Sequence, residues 1–493
     1  LGVYKRQGIF TTLIIYAGFV FGAINTIILA PKFLSVEENG IYRLFITVAT
    51  ILSQLLILGS SSAISKFSPY FNNKNQLLSP ILLVLHIVFF VYVICSFIFV
   101  DPIQIFFPEA FEKIKPYYFL LIINVYCLIL LYSLSGFCVA IFETALGNFF
   151  KEFLYKLVAS LAFIAVIILI FNFTNFIKIY TLLNILIIFL FSIVLIVFYN
   201  VRLVLTFPKT FLKLWREIAS FSLYSFFTTA ASLIILQIDI LMVNKLAADS
   251  VKSVAIYSTA FFIATVIQTP QRSLAQISTP LFAKLWHDNN LQEIQKNYIK
   301  TTLVQMLAGS LLFILIAINI DNIYTIMPSV YGNGKTVVFI ILLAKFIEMA
   351  SGSNAEILGT SKYFKLNFYM YFAMLIILII LNYILIPKYD IAGAALGTLC
   401  TALFFNISRY FFLKMKFGFS PFNFDYVKGF CISIFVGLIA FYLPKITPFY
   451  FDIIYRSIAA VFIYIILIYY FNISTDINQL IQKIPILLKK YIK

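Results

Sequence analysis

ENGIYRLF (Glu38 to Phe45) and VAIYSTAF (Val254 to Phe261) decide how this chain folds, because the sequence around the first run recurs around the second. Each run leads into an apolar helix, the first expected to end at Pro69-Tyr70-Phe71 and the second at Pro280-Leu281-Phe282. The apolar segments that precede the two runs also align, and Asn25 falls where Asp239 falls in the second copy. Duplicated apolar helices suit an architecture in which two similar bundles rock against each other around a central site.

Composition puts those helices in a bilayer. Hydrophobic residues make up 62% of the 493-residue chain and charged residues 11%, where soluble domains carry roughly a quarter charged. Mean hydropathy is +1.02. Charges cluster in short loops between apolar runs of about 20 residues, the length that crosses a hydrocarbon core about 30 Å thick. The short segments of alternating polarity that a β-barrel needs are absent, so the fold class is all-α integral membrane.

The apolar runs predict about 14 spans. Six lie at Ile9 to Ala30, Ile41 to Gly59, Pro80 to Val100, Tyr117 to Ala140, Phe153 to Phe171 and Ile177 to Tyr199. Six more lie at Ile218 to Leu246, Val254 to Leu274, Thr302 to Ile320, Thr336 to Ala355, Leu366 to Leu385 and Ile391 to Phe412, and a last pair at Gly429 to Leu443 and Ile453 to Phe471. Lys and Arg concentrate in alternate loops, which orients the chain with both termini cytoplasmic. The strongest markers are Arg202, Lys209, Lys213 and Arg216, then Arg409, Lys414, Lys416 and Lys428, then the tail residues Lys483, Lys489, Lys490 and Lys493. Six helices return the chain to its starting side, so the copies are expected as parallel repeats: an N-terminal lobe over 8–200, a second over 201–415, and an extra helix pair with a basic tail over 416–493. The net charge of +17 is then a topology signal with attraction to anionic lipid. It is not a nucleic-acid surface, because no soluble domain interleaves basic residues with aromatics.

None of Cys95, Cys127, Cys138, Cys400 and Cys431 stands in CxxC spacing, and His86 and His287 are the only histidines. No disulfide, metal site or cofactor is expected. The first apolar segment is long and followed at once by more spans, the pattern of an anchor rather than a cleaved leader. Leu1 to Gln7 reads as translated library sequence, and the natural start is expected elsewhere. The excess of Phe, Ile, Lys, Asn and Tyr over Ala, Gly and Arg points to an AT-rich bacterial genome.

Longer motifs carry a resemblance. EENGIY (Glu37 to Tyr42), ILGSSSAISKFSPYF (Ile57 to Phe71), SLIILQIDILMVNKLAADSVKSVAIYSTAF (Ser232 to Phe261) and LIPKYDIAGAALGTL (Leu385 to Leu399) resemble the polysaccharide-exporter branch, Wzx-like O-antigen and oligosaccharide flippases, of the multidrug/oligosaccharidyl-lipid/polysaccharide superfamily. The resemblance covers nearly the whole chain. It implies two six-helix lobes in a V around a cavity, and alternating access that moves an undecaprenyl-pyrophosphate-linked oligosaccharide across the bacterial cytoplasmic membrane. Its implied partners are that lipid-linked substrate, membrane lipid and other polysaccharide-assembly membrane proteins. An ion-coupled multidrug exporter of the same superfamily is the alternative; a membrane glycosyltransferase or polymerase is disfavoured by the short external loops, and no enzyme is expected. A lipid scramblase without sugar specificity is not separable from the first reading by residues alone.

Ionisable residues inside spans are costly, which makes them candidates by default. Lys345 and Glu348 lie roughly 14 to 18 Å into the tenth span on one helix face, either as a self-neutralising pair or with Lys345 facing an anionic headgroup and Glu348 tuning it or carrying a proton. Asp239 is a candidate for substrate or for proton or sodium coupling, against a structural role; its counterpart Asn25 leaves the first span without an acid, which weighs against the exporter. Arg43 either snorkels to the interface or faces the cavity mouth. Lys66 and Arg272, near the cytoplasmic ends of the repeated second and eighth helices, either meet a pyrophosphate or anchor the positive-inside face. Asp452 and Arg456 read as a surface pair. Pro69, Pro270 and Pro280 are expected to end or kink helices.

Overall fold

The computed structural model describes residues 2–71, 73–98, 104, 108–168, 172–202, 207–474 and 478. Among them all regular structure is helical, as hydrocarbon demands: with no water to bond, each segment must satisfy its backbone groups within itself. Twelve helices among the described residues are long and apolar enough to cross a membrane, from Leu13–Phe33 to Phe449–Tyr470. The two other expected spans also fall on helix. Phe153 to Phe171 overlaps a π-turn, Phe149–Leu154, that continues into Tyr155–Ile168, and 169–171 lie outside the described residues. Ile218 to Leu246 lies within Lys209–Leu246, 38 residues long. The tail lysines Lys483, Lys489, Lys490 and Lys493 lie outside the described residues. Contacts gather the chain into two compact units, Leu1–Thr259 with Leu378–Ala394, and Ala260–Ile377 with Ala395–Lys493.

In the first unit the EENGIY turn has a structural explanation. Ser35 Oγ accepts from the Glu38 backbone N–H at 3.2 Å while Glu38 Oε2 accepts from the Ser35 N–H at 2.9 Å, a capping box that starts the helix Val36–Leu56. Gly40 sits under the helix Ser250–Thr265: a Cβ there would lie 2.0 Å from the Val251 carbonyl oxygen. Tyr42 is buried edge-on against Phe163, Phe176 and Tyr180. Cap, close approach and aromatic anchor account for three positions of the motif without any ligand.

The duplication is also written in the backbone. The second helix is interrupted at Leu58 and Gly59, with φ of 49° and 69°, before it resumes as Ser60–Phe67. Its counterpart is interrupted by a 3₁₀ turn, Val266–Gln268, and resumes as Thr269–His287. The fourth helix ends at Ala140, passes through Phe142 at φ 63° and continues as Thr144–Asn148; the tenth ends at Ala350, passes through Gly352 at φ 67° and continues as Asn354–Thr360. The copies differ at their prolines. Pro69 stands in a 3₁₀ turn that closes its helix, Pro270 opens the resumed helix, and the helix runs through 280 to His287, so the expected end at Pro280-Leu281-Phe282 is not there. Proline removes one backbone donor, and a helix carries on past it when its other bonds and its packing hold.

In the second unit the C-terminal helices Phe424–Tyr442 and Phe449–Tyr470 pack on Leu291–Ile318 through Leu307, Ile314, Val436, Ala460 and Tyr464. Ser310 Oγ, Ser433 Oγ and Tyr464 Oη close a three-way hydroxyl cluster at 2.7, 2.8 and 3.0 Å. At one end Arg456, 3% exposed, donates to the Ile318 carbonyl at 2.7 Å and to the Ala440 and Phe441 carbonyls at 3.2 Å. Asp452, also buried, stands 3.8 Å from the guanidinium and accepts from Asn322 at 2.6 Å and the Ile446 N–H at 2.9 Å. The surface reading of this pair is therefore wrong. The last carbonyls of two helices have no partner within their own helix, and one guanidinium supplies donors to both. Arg456→Ala should cost about 3–5 kcal/mol, because it strands a buried carboxylate and three carbonyls, and Arg456→Lys should recover only part. Thermal unfolding in detergent checks this, and a melting temperature equal to wild type for Arg456→Ala would return the pair to the surface.

Candidate functional site

Asn25 stands where the first helix changes its winding. The α-helix Gly2–Ala23 widens into a π-turn, Ile24–Leu29, a local form that recurs at functional positions. The buried amide donates from Nδ2 to the Lys156 carbonyl at 2.7 Å and accepts at Oδ1 from Ser160 Oγ at 2.6 Å. The facing helix carries a second π-turn, Phe149–Leu154, and the Gly18 backbone lies so close to it that a Cβ would stand 2.2 Å from the Glu152 carbonyl oxygen. Glu152 there bridges two cations, Lys151 at 3.5 Å and Lys156 at 3.2 Å, and Lys156 also lies 5.2 Å from the Phe19 ring centre. Sequence reading missed this triad because the fifth span was started at Phe153. Its available signal was Glu152 four residues before Lys156, the favourable order for a helical pair.

Asp239 repeats the arrangement with a charge. Its carboxylate is 2% exposed and accepts from Tyr257 Oη at 2.7 Å and from Asn382 Nδ2 at 2.6 Å. Asn382 lies on Phe364–Tyr389, the fifth helix of the second copy, as Ser160 lies on the fifth helix of the first. A first-to-fifth helix tie thus recurs in both copies, through an amide in one and a carboxylate in the other.

Lys345 and Glu348 meet in the second unit. Lys345 is 4% exposed, with Nζ 3.2 and 3.4 Å from the two Glu348 oxygens. Gln268 Nε2 donates to Glu348 Oε2. Gln268 belongs to the 3₁₀ interruption of the eighth helix, so the pair on Lys335–Ala350 is tied to the backbone break beside it. Phe261 places its ring 6.0 Å from the ammonium. The pair is neutral as a unit and sits within reach of an element with irregular backbone.

The remaining cations are more open. Lys66 is exposed, 3.8 Å from the Phe221 ring centre, and lines a hollow of about 560 Å³ with Tyr70, Arg216 and Glu217. Arg272 is exposed on the resumed half of the eighth helix, and Arg43 is half-buried with its guanidinium 5.8 Å from the Tyr42 ring centre. Arg409, read from sequence as a loop-side marker, is instead 6% exposed and lies 5.0 Å from the Tyr371 ring centre. Nearby Glu356, outside the spans, has its carboxyl pushed up by burial, with the Arg409 charge opposing.

The Asn25 tie has a direct test. Asn25→Ala leaves Ser160 and the Lys156 carbonyl without this partner and should cost about 1–3 kcal/mol, whereas Ser160→Ala, which spares the bond to the carbonyl, should cost less. Chemical denaturation in detergent distinguishes them, and equal stability of Asn25→Ala and wild type would remove the structural role.

Comparison with known proteins follows the fold. A family model described as polysaccharide biosynthesis protein matches residues 4–286. The capsular polysaccharide biosynthesis protein CapF of Staphylococcus aureus is 25% identical over 167 residues, 34% of this chain and 42% of that protein, so the match spans less than half of the relative. Among solved structures, lipid II flippase MurJ in an inward closed conformation superposes with a TM-score of 0.73 at 16% identity, covering 96% of this chain and 99% of MurJ. An inward-facing multidrug resistance MATE family transporter of the MOP superfamily gives 0.66 at 16% identity, over 83% of this chain and 98% of its own. At such identities these two likenesses concern the fold. The family match covers more than half of the sequence, and the chain belongs to the polysaccharide biosynthesis protein family.

Proposed function

We propose that this multi-pass membrane protein is a flippase that carries a lipid-linked oligosaccharide across the bacterial cytoplasmic membrane. The carrier in this reading is undecaprenyl pyrophosphate, and the product feeds a surface polysaccharide such as capsule or O-antigen. The observation that carries the reading is the family match, joined to a fold shared with a lipid II flippase over 96% of the chain. Multidrug transporters share the fold over 83–84%, which favours the flippase over the exporter. The solved structures named are of a flippase and a multidrug transporter, and we read the protein as no enzyme.

The mechanism follows from solvation. A charged headgroup cannot cross hydrocarbon unaided, so protein groups must replace its water while the lipid chain stays in the bilayer. In this proposal the lobes 8–200 and 201–415 alternate access, and the pair over 416–493 accompanies the second. Lys345 contacts the anionic headgroup by exchanging its bond to Glu348, and Gln268 holds Glu348 while it does so. Asp239, buried and held by Tyr257 and Asn382, is the candidate for proton or sodium coupling; a membrane potential acting on an anionic substrate is the route that needs no ion site. Termini on the cytoplasmic side follow from the basic loops, and other polysaccharide-assembly membrane proteins are the proposed neighbours.

Vesicles with a fluorescent undecaprenyl-pyrophosphate oligosaccharide test this reading. The purified protein should expose the inner-leaflet pool to an impermeant quencher, and Lys345→Ala, inserted and folded, should slow that by about tenfold or more, the equivalent of about 1.4 kcal/mol in the barrier. Asp239→Asn should remove any response of the rate to a proton or sodium gradient. Wild-type rates for Lys345→Ala would take it out of the site, and proton-coupled efflux of cationic dyes without lipid movement would establish the exporter instead.

A further inference from the structure

One basic and apolar surface of the first unit holds none of the residues assigned to cargo or coupling above. The segment Lys209 to Leu223, opening the helix Lys209–Leu246, packs beside the interrupted second helix and borders two hollows. One is an apolar groove of about 510 Å³, walled by Ile57, Ile81, Leu85, Leu212 and Trp215. The other is the hollow of Lys66, Arg216 and Glu217, with the aromatic faces of Tyr70 and Phe221. Leu212, Arg216, Ala219 and Leu223 follow one another at helical spacings of three and four, which puts Arg216 on the stripe whose other members line the groove. Charge and groove therefore meet at Arg216.

Three observations identify what fits. Among the described residues neither Lys66 nor Arg216 stands in an ion pair, and with Glu217 the basic hollow holds two cations and one carboxylate. Its single net positive charge suits a phosphodiester better than a pyrophosphate. Ser60 lines the groove, is 5% exposed, and its Oγ has no hydrogen-bond partner among the described residues. A buried hydroxyl in an apolar wall calls for a partner, and an ester carbonyl at the head of an acyl chain is one. Ser60 is also six residues from Lys66 along Ser60–Phe67, about 9 Å of helix, a separation that one lipid headgroup and its ester can span.

We infer that this surface is a binding site for one anionic glycerophospholipid of the surrounding membrane, with its phosphate at Lys66 and Arg216, an ester carbonyl at Ser60 and an acyl chain along Ile57, Ile81 and Trp215. The site abuts the break at Leu58 and Gly59, where a Gly59 Cβ would lie 2.3 Å from the Ser222 carbonyl oxygen. The bound lipid thus rests against an irregular point of a repeated helix, whatever cargo the protein moves.

Trp215 reports on the site, since Trp286 is the only other tryptophan. The full chain carrying Trp286→Phe is placed in phosphatidylcholine nanodiscs doped with bromine-labelled phosphatidylglycerol or bromine-labelled phosphatidylcholine. The anionic lipid should quench Trp215 saturably at a several-fold lower mole fraction, and Lys66→Ala with Arg216→Ala should erase that preference while quenching by the zwitterionic lipid persists, which also certifies the variant as folded. Lys66→Arg should keep the preference, and Trp215→Phe, with Trp286 as the sole reporter, should show none. Equal quenching by both lipids, or a preference that survives the double substitution, overturns the site.

Discussion

Polar groups in hydrocarbon must find their partners in protein, and the rest of this structure depends on that constraint. It makes the described chain helical, and it then decides how neighbouring helices are joined. Asn25 reaches Ser160 and a Lys156 carbonyl, Asp239 takes Tyr257 and Asn382, Ser310 meets Ser433 and Tyr464, and Arg456 serves two helix ends. An interhelical hydrogen bond within a membrane adds about 0.6–2 kcal/mol. Stability is the smaller effect. A polar group left without a partner costs more than a bond gains, so each tie excludes other helix registers more strongly than it deepens this one.

The duplication shows which features were kept and which were released. Both copies retain an interrupted second helix, a fourth helix that turns through a left-handed residue, and a polar tie from first to fifth helix. Divergence is chemical. The second copy carries a carboxylate at Asp239 where the first has the Asn25 amide, and its interruption carries Gln268, which donates to Glu348 of the Lys345–Glu348 pair. A charged residue beside an irregular backbone segment is where a small rearrangement changes the solvation of a charge most. That is the physical basis for placing the proposed substrate contact at Lys345 and the proposed coupling at Asp239.

Much of the fold was legible because hydropathy and helix-start chemistry act locally. Span positions followed from apolar length, and Glu38 at the third position after Ser35 is a cap signature readable by eye. Tertiary relations were less legible. Asp452 and Arg456 look like an exposed pair when only their own helix is considered; the ends of Leu291–Ile318 and Phe424–Tyr442 that bury Arg456 are remote in sequence. The Lys151, Glu152 and Lys156 triad was cut by a span started at Phe153, because the apolar run begins there while the helix and its π-turn begin earlier. Asn25 was found through the repeat, and Asp239 through the repeat and the cost of a carboxylate inside a span; their partners Ser160 and Asn382 carried no separate signal.

The central claim is that lipid-linked oligosaccharide changes leaflet through this protein, and the native membrane tests it most directly. Spheroplasts depleted of the protein are labelled with an impermeant lectin specific for the oligosaccharide, and the surface fraction of the lipid-linked pool is compared with that in replete cells. The account predicts that depletion shields the pool from lectin while its total amount rises. An unchanged lectin-accessible fraction, with synthesis intact, would contradict it.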